Sequence, residues 1–121
     1  MKKTIFLDID GCIFKHKGNL STQFSEPELL SGVLEKINDW EAAGHKIILV
    51  TGRKESMRKI TEDQLSKYCI FYDQLIMGIN RGERILINDK KPIGATNLVS
   101  STNVATAIEI ERNEGLKNIN I

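Results

Sequence analysis

The stretch TIFLDIDG, residues 4–11, decides the fold that this sequence predicts. Its first four residues are apolar or β-branched, and two aspartates and a glycine follow closely. A short run of this kind that ends at turn-forming residues predicts a buried strand ending at Asp8. Gly11 then predicts a turn. The sequence therefore places Asp8 and Asp10 where the chain leaves its first strand.

Beyond this stretch, short strand-like runs alternate with longer segments of helical spacing. The second predicted strand is His45–Val50, the third is Gln74–Met77 and the fourth is Arg84–Ile87. The second run is almost continuously apolar, which is typical of a strand buried on both faces of a parallel sheet. The alternation predicts an α/β fold with a single doubly wound, Rossmann-like parallel sheet flanked by helices.

Two helices are predicted between these strands. The first begins at Ser25, which is a good N-cap residue, and ends near Gly44, which is the residue type that most often follows a helix. The second covers residues 54–69. Within it, Thr61 with Gln64 resembles a capping box, which predicts a division into two short helices.

Three further segments carry weaker patterns. Residues 11–24 predict an irregular loop, at most a small flap after the first strand. Thr102 or Asn103 is expected to begin a last helix. The end of the chain, Leu116–Ile121, is expected to be either a fraying tail or a short edge strand.

Composition predicts one domain, residues 1–121, because a chain of 121 residues is large enough for a single hydrophobic core. The 17 basic and 16 acidic residues are mixed along the chain, so no extended positive field for nucleic acid is expected. No apolar run approaches the roughly 20 residues that span a bilayer. Cys12 and Cys69 have no metal-binding or redox spacing and are predicted to be free thiols. We therefore expect a cytoplasmic protein without nucleic-acid or membrane partners.

Polar residues stand at the carboxyl ends of three of the predicted strands. Asp8 and Asp10 follow the first strand, Thr51 follows the second and Asp89 follows the fourth. In an open parallel sheet, ligands bind beyond the carboxyl ends of the strands, so these residues are expected to converge. An oxygen-rich cluster of this kind suits Mg²⁺, which is commonly held by one or two carboxylates together with substrate phosphate.

These motifs resemble the ordered signature of the haloacid dehalogenase superfamily, in its small capless phosphatase type. The resemblance lies in Asp8-Ile9-Asp10-Gly11, then Thr51-Gly52, then Asn88-Asp89, and it spans most of the chain. It implies that Asp8 attacks phosphorus to form an aspartyl-phosphate and that Asp10 acts as acid and base. It also implies that Mg²⁺ is held by the Asp8 carboxylate, the Asp10 backbone carbonyl and Asp89. Many members carry two acids where this chain has Asn88, so Asn88 is itself a candidate for contact with the metal.

The same resemblance implies which residues hold the phosphate. The Thr51 hydroxyl and the Gly52 amide would bind the transferring phosphoryl oxygens. Arg53 is a candidate for substrate contact, and an exposed arginine at a helix start is the alternative. The family pattern also expects a basic residue near the nucleophile. Arg81 is favoured for this catalytic role, with Arg84 and Lys90 as alternatives.

The implied function is Mg²⁺-dependent hydrolysis of a phosphomonoester through an aspartyl-phosphate intermediate. The short loop after Gly11 leaves no room for a cap domain, so the site is expected to be open unless a second copy of the chain covers it. Small capless members often act on sugar phosphates, which makes a small phosphorylated metabolite the expected substrate. The alternatives are a noncatalytic module that binds phosphate or a partner, and a nucleotidase or phosphotransferase that uses the same site.

Overall fold

The sheet consists of three parallel strands. The computed structural model describes residues 2–18, 26–90 and 104–121. Within them the strands are β1 (Thr4–Asp8), β2 (Lys46–Val50) and β3 (Gln74–Ile76), with β2 in the middle of the sheet. The first three predicted strands are therefore confirmed, each to within one residue at either end. The parallel pairing is compatible with a Rossmann-like arrangement.

The register of the sheet brings the three strand ends to one edge. Asp8 is paired with Val50, and Val50 is paired with Ile76. These three residues are the last of their strands. The residues that follow them, including Asp10 and Thr51, therefore leave the sheet on the same side, as expected for a ligand site in a parallel α/β fold.

Two α-helices connect the strands. Helix α1 (Val33–Ala42) lies between β1 and β2, and helix α2 (Arg58–Lys67) lies between β2 and β3 after a single 3₁₀ turn, Glu55–Met57. Three apolar side chains of α1 recur every three or four residues and are buried, namely Val33, Ile37 and Trp40. This spacing places them on one face of the helix, where they join the core.

Both helices end in the same backbone arrangement. The amide of His45 donates to the carbonyl of Trp40 at 3.0 Å after α1, and the amide of Ile70 donates to the carbonyl of Leu65 at 3.0 Å after α2. These are Schellman bonds, and they require a left-handed residue just beyond the helix. Gly44 fills this position after α1, as predicted, with φ of 85°, and Cys69 fills it after α2 with φ of 56°.

The first helix begins later than the sequence predicts. Ser25 lies outside the described residues, and the segment before Val33 is not helical. Its backbone instead pairs with the loop after β1, because the Lys15 amide donates to Glu28 at 2.9 Å and the Leu30 amide donates to Ile13 at 2.9 Å. These contacts replace the hydrogen bonds that a longer helix would make.

The loop after β1 is not simply a surface flap. The side chains of Ile13 and Phe14 are 0% and 1% exposed. They belong to the main apolar core, whose other members come from the strands, both helices, the loops and the end of the chain: Leu7, Ile9, Val33, Ile37, Trp40, Ile47, Leu49, Leu65, Ile70 and Leu116. The first part of the loop is therefore fixed by burial of two large side chains.

The predicted fourth strand is wrong for this structure. Residues 84–87 have no strand conformation, and Ile85, Leu86 and Ile87 are 73%, 61% and 89% exposed. β-branched residues favour strands only where a neighbouring strand supplies backbone partners and packing. In the described part of the chain, these residues pair with no strand.

The last helix is also absent from the described residues. Residues 104–111 are not helical, while Thr102 and Asn103 lie outside the described ranges. The end of the chain is nevertheless docked, because Leu116 is 2% exposed and its amide donates to the carbonyl of Ser31 at 2.8 Å. A Cβ atom on Gly115 would lie 2.3 Å from that same carbonyl oxygen, so only glycine fits this approach. Among the described helices, none is long and apolar enough to cross a membrane.

Candidate active site

Asp8 ends β1 and is partly buried at the edge where the strands end. Its Oδ1 atom accepts a hydrogen bond from the Ile9 amide at 2.9 Å. Burial raises the pKa of the Asp8 carboxyl above its ordinary value, and the neighbouring Asp10 adds to this rise. The Ile9 hydrogen bond and the positive charge of Arg84 oppose it, with a smaller contribution from the nearby His16 side chain. The carboxylate therefore lies in a site that is partly desolvated and bordered by positive charge.

Asp10 is held by a buried arginine. The Arg53 guanidinium donates from Nε to Asp10 Oδ2 at 2.8 Å and from Nη2 to Asp10 Oδ1 at 2.7 Å. The Arg53 side chain is 1% exposed, whereas the Asp10 side chain is 17% exposed. A bidentate pair of this kind fixes both the position and the plane of the carboxylate. The part of Asp10 that remains exposed lines the pocket at the edge where the strands end.

Helix α2 fixes the other side of the Arg53 guanidinium. Arg53 Nη1 donates to Thr61 Oγ1 at 3.0 Å and to Gln64 Oε1 at 2.7 Å. Both acceptors are buried and lie one helical turn apart within α2. The expected capping box at Thr61 and Gln64 is therefore wrong, since α2 runs unbroken through both residues and their side chains bind Arg53. The alternative of an exposed Arg53 is wrong as well.

Thr51 and Gly52 form the turn between β2 and Arg53. The Thr51 amide donates to the Ile76 carbonyl at 2.9 Å, and the Thr51 hydroxyl accepts from the Arg53 amide at 3.1 Å. Thr51 is 1% exposed, while Gly52 is exposed. Because Thr51 Oγ1 accepts from a backbone amide, its own proton remains to be donated to another group.

These residues line one pocket of about 520 Å³. Both aspartates, the Thr51-Gly52 turn and Arg53 contribute to its wall. The loop after β1 adds Gly11, Cys12 and His16. The pocket lies at the carboxyl edge of the sheet, so the structure brings together the first two motifs that the sequence predicts to converge.

Three arginines that do not pair with Asp10 also line the pocket. Arg81 and Arg84 come from the segment after β3, and Arg112 comes from the end of the chain. Of the three basic candidates from the sequence, Arg81 and Arg84 therefore face the pocket, while Lys90 is not among its lining residues. Arg112 was missed. It lies in a segment expected to be a helix, and no local motif distinguishes it.

The third predicted motif is not brought to this pocket. Asn88 and Asp89 are exposed, and the Asn88 side-chain amide donates to the Asp89 backbone carbonyl at 3.1 Å. Asp89 does not line the pocket that contains Asp8 and Asp10. In the described ranges, no three His, Cys, Asp or Glu residues are grouped so that they could hold a metal ion. Of the three predicted metal ligands, Asp8 and Asp10 line the pocket and Asp89 does not. Both supply oxygen donors of the type that Mg²⁺ takes.

The two cysteines are free thiols, as the sequence predicts. Cys12 lines the pocket, and burial raises the pKa of its thiol to about 11, with the Asp8 charge adding to the rise. Cys69 is exposed beyond α2. Neither thiol belongs to a cluster of metal-ligating side chains within the described residues.

No protein-family model and no curated protein matches this chain. Among solved structures, it is similar to a chain in a structure of the Pnkp1/Rnl/Hen1 complex, with 29% identity and a TM-score of 0.56 over 69% of this chain and 30% of that one. A structure of the Pnkp1/Rnl/Hen1 RNA repair complex gives 28% identity and a TM-score of 0.56 over 69% of this chain and 27% of that one. This chain thus spans less than a third of those two chains.

A crystal structure of an MCSG target from Vibrio cholerae is also similar in fold. It shares 18% identity and a TM-score of 0.53, over 74% of this chain and 82% of that one. At this identity the likeness concerns the fold alone. The three structures agree that the parallel α/β arrangement described above is shared with known proteins.

Proposed function

We propose that this protein is a phosphatase of the haloacid dehalogenase type that hydrolyses phosphomonoesters, with Asp8 as nucleophile and Asp10 as acid and base. The observation that carries the proposal is the orientation of Asp10 by the buried Arg53 fork, beside Asp8 in one pocket. A positioned carboxyl group next to a carboxylate nucleophile is the pair that covalent phosphoryl transfer requires. The likeness to chains of an RNA repair complex adds weak support for phosphoryl chemistry.

In the first half-reaction, an Asp8 carboxylate oxygen attacks phosphorus and the bond from phosphorus to the leaving oxygen breaks. Protonated Asp10 gives its proton to that oxygen, so the product leaves as a neutral alcohol. A carboxylate has about four lone-pair directions, of which the Arg53 fork uses two, and in protonated Asp10 one of the others carries the proton that is transferred. The remaining directions serve the leaving group.

In the second half-reaction, water attacks the phosphorus of the aspartyl-phosphate. The Asp10 carboxylate takes a proton from this water, and the bond from phosphorus to the Asp8 oxygen breaks. Inorganic phosphate leaves, Asp8 returns to its carboxylate form and Asp10 is again protonated. Atoms, charges and protons balance over the cycle without any redox partner.

The phosphoryl oxygens are held by donors at the strand edge. The Thr51 hydroxyl donates its free proton and the Gly52 amide donates its N–H, while Arg81 supplies positive charge. Such fixed donors favour the transition state because they need no reorganisation when charge builds up on the phosphoryl oxygens. Arg53 acts here by positioning Asp10, in place of the direct contact with substrate that the sequence suggests.

Mg²⁺ is proposed as the cofactor, held by the Asp8 carboxylate and the Asp10 backbone carbonyl. Asp89, the third predicted ligand, does not line the pocket in this structure. When bound, the ion offsets the repulsion between a carboxylate nucleophile and a phosphate dianion. A titration followed by calorimetry tests the assignment without turnover. Asp8→Asn is expected to weaken Mg²⁺ binding, and Asp89→Asn is expected to do the same only if Asp89 joins the site.

The proposed substrate is a small phosphorylated metabolite such as a sugar phosphate. A second candidate substrate is a phosphorylated RNA end. Two of the similar structures are of the Pnkp1/Rnl/Hen1 complex, and one of them describes it as an RNA repair complex. A noncatalytic module that binds phosphate or a partner is the alternative from another class.

The deciding experiment is a phosphate-release screen with Mg²⁺ over sugar phosphates, nucleotides, phosphopeptides and a phosphorylated oligoribonucleotide. Asp8→Asn is expected to lower release by about a thousandfold or more, because it removes the nucleophile. Asp39→Asn, on the exposed surface of α1, is the matched control and should leave release unchanged. Undiminished release in the Asp8 variant would overturn the proposed nucleophile. Binding of phosphate without release of product from any substrate would favour the noncatalytic module.

A further inference from the structure

Among the described residues, four arginines line the pocket, and three of them are not used to position Asp10. Arg53 is buried and donates its side-chain hydrogen bonds to Asp10 and helix α2, so it does not face an incoming anion. Arg81, Arg84 and Arg112 remain around the pocket, and all three are exposed. Arg81 and the Thr51-Gly52 turn are assigned above to the transferring phosphoryl group. An exposed guanidinium that lines a pocket is suited to bind a further anion.

Arg112 is held at the pocket by its neighbour Asn113. The Asn113 amide donates to the Gly11 carbonyl at 2.9 Å. Its side chain accepts from the His16 amide at 2.7 Å and donates to the His16 carbonyl at 3.3 Å. Asn113 has φ of 68°, a left-handed conformation that asparagine adopts more readily than most residues. Three hydrogen bonds thus attach the end of the chain to the loop that follows the proposed nucleophile.

Gly11 makes room for the stem of Arg112. A Cβ atom on Gly11 would lie 3.4 Å from Arg112 Cγ, and Gly11 itself has φ of 93°. The arginine stem therefore crosses the turn directly after Asp10. Because the carbonyl of Gly11 is also the acceptor for Asn113, the contact is fixed at two points. Arg112 is consequently a built part of the pocket wall rather than an arbitrary surface residue.

We propose that the pocket takes a phosphomonoester that carries a second phosphate group, and that Arg112 binds this second group. The inference rests on the proposed function for the reacting phosphoryl group, and it adds the substrate class. Arg84 lines the pocket from the same segment after β3 as Arg81, so it is assigned with Arg81 to the reacting end of the substrate. Arg112, presented from the loop side, serves the distal end.

The test compares matched substrates that differ by one phosphate. Glucose 1,6-bisphosphate is compared with glucose 6-phosphate, and an adenosine bisphosphate with the matching monophosphate. A dinucleotide with a terminal phosphate, whose second anion is a backbone phosphodiester, forms a third arm that separates a nucleic-acid source from a small metabolite. The wild-type protein is expected to favour at least one substrate with the additional anion in kcat/KM.

Arg112→Gln is expected to lower that preference by about tenfold, since it removes a charge-assisted hydrogen bond to the second phosphate. Turnover of the monophosphate should fall by less than turnover of the substrate with two phosphates. Arg112→Lys keeps the charge and should recover part of the preference. Lys46→Gln removes a positive charge from an exposed position at the opposite end of β2 and should leave the preference intact. A preference that is absent in the wild type, or equally reduced by Lys46→Gln, would overturn the proposal.

Calorimetric binding of the same glucose phosphates separates this proposal from the proposed reaction. If no substrate is hydrolysed but the bisphosphate still binds more tightly through Arg112, the second-anion site stands and the phosphatase assignment fails. The opposite result is equal hydrolysis and equal binding of both glucose phosphates, with no preference in the adenosine and dinucleotide arms. In that case the second-anion site fails and the phosphatase assignment stands.

Discussion

The pocket contains arginines in two contrasting environments. Arg53 has a side chain that is 1% exposed and makes four side-chain hydrogen bonds, two to Asp10 and two to α2. Arg81, Arg84 and Arg112 line the same pocket but are exposed. Arginine thus holds another side chain in place inside the protein in one case and supplies exposed positive charge at the pocket in the other.

The contrast separates positioning from binding. A buried guanidinium with four of its five donors in hydrogen bonds cannot readily exchange partners, so Arg53 fixes Asp10 before any substrate arrives. Exposed arginines keep their donors solvated and can turn toward an incoming anion. We therefore expect variants of the buried arginine to change stability and kcat, and variants of the exposed arginines to change KM and the dependence on salt.

The largest effect is expected for Arg53→Ala. Removing the guanidinium leaves Asp10, Thr61 and Gln64 without their partner in a largely buried region, which is expected to cost about 3–5 kcal/mol of unfolding free energy. Phosphate release should fall together with stability, because Asp10 loses its orientation. Chemical denaturation gives the free energy, and steady-state kinetics at a temperature where the variant is folded gives kcat.

Two variants make this first test specific. Arg53→Lys keeps the charge but cannot form the fork, so it should recover part of the stability and little of kcat. Lys59→Ala removes an exposed ion pair with Asp63 from the surface of α2 and should change neither quantity measurably. An Arg53→Lys variant with full kcat would contradict the positioning role.

A smaller effect is expected for Thr61→Val, which keeps the shape of the side chain but removes the hydroxyl that accepts from Arg53. The loss of this buried acceptor should cost about 1–2 kcal/mol of unfolding free energy. Thr4→Val, on the exposed start of β1, is the matched control and should be neutral or slightly stabilising. Equal effects of the two substitutions would show that the α2 contact does not hold the guanidinium.

The buried side of the pocket could be predicted only in part from the sequence. The strand that ends at Asp8 and the strand before Thr51 follow from local apolar runs, and both are confirmed. The link from Arg53 to Thr61 and Gln64 could not be found in this way, because their spacing equally fits a capping box. Only the packing of α2 near the strand edge shows that these polar groups point inward.

The exposed side was harder to predict for a different reason. Residues 84–87 have strand-like composition, but composition does not say whether a neighbouring strand is available to pair with them. Arg112 reaches the pocket through Asn113, whose partner His16 lies 97 residues earlier in the sequence. A contact over this separation leaves no periodic signal, so sequence reasoning missed both Arg112 and the docking of the chain end.

For the exposed arginines, Arg84→Gln should lower kcat/KM by up to about fivefold, the range expected for an exposed charge pair. Since the positive charge of Arg84 lowers the pKa of Asp8, its removal should raise that pKa further. The acid limb of the pH dependence of phosphate release should then move to higher pH. Lys90→Gln, next to Asp89 and outside the pocket lining, should leave the limb in place. A shift caused only by the Lys90 variant would reverse the roles of these two basic candidates.

The smallest effect is expected in the reactivity of the two thiols, which is measured on the unmutated protein. Burial raises the pKa of the Cys12 thiol to about 11, so about one Cys12 in a thousand is a thiolate at a pH of about 8. Cys69 is exposed and should react first with a thiol reagent. The rate of Cys12 labelling should rise with pH until about 11, and it should fall when inorganic phosphate occupies the pocket. The rate of Cys69 labelling should not depend on phosphate. Fast labelling of Cys12 at neutral pH would mean that this side of the pocket is open to solvent. Arg53 would then be the part of the pocket to which the buried environment is confined.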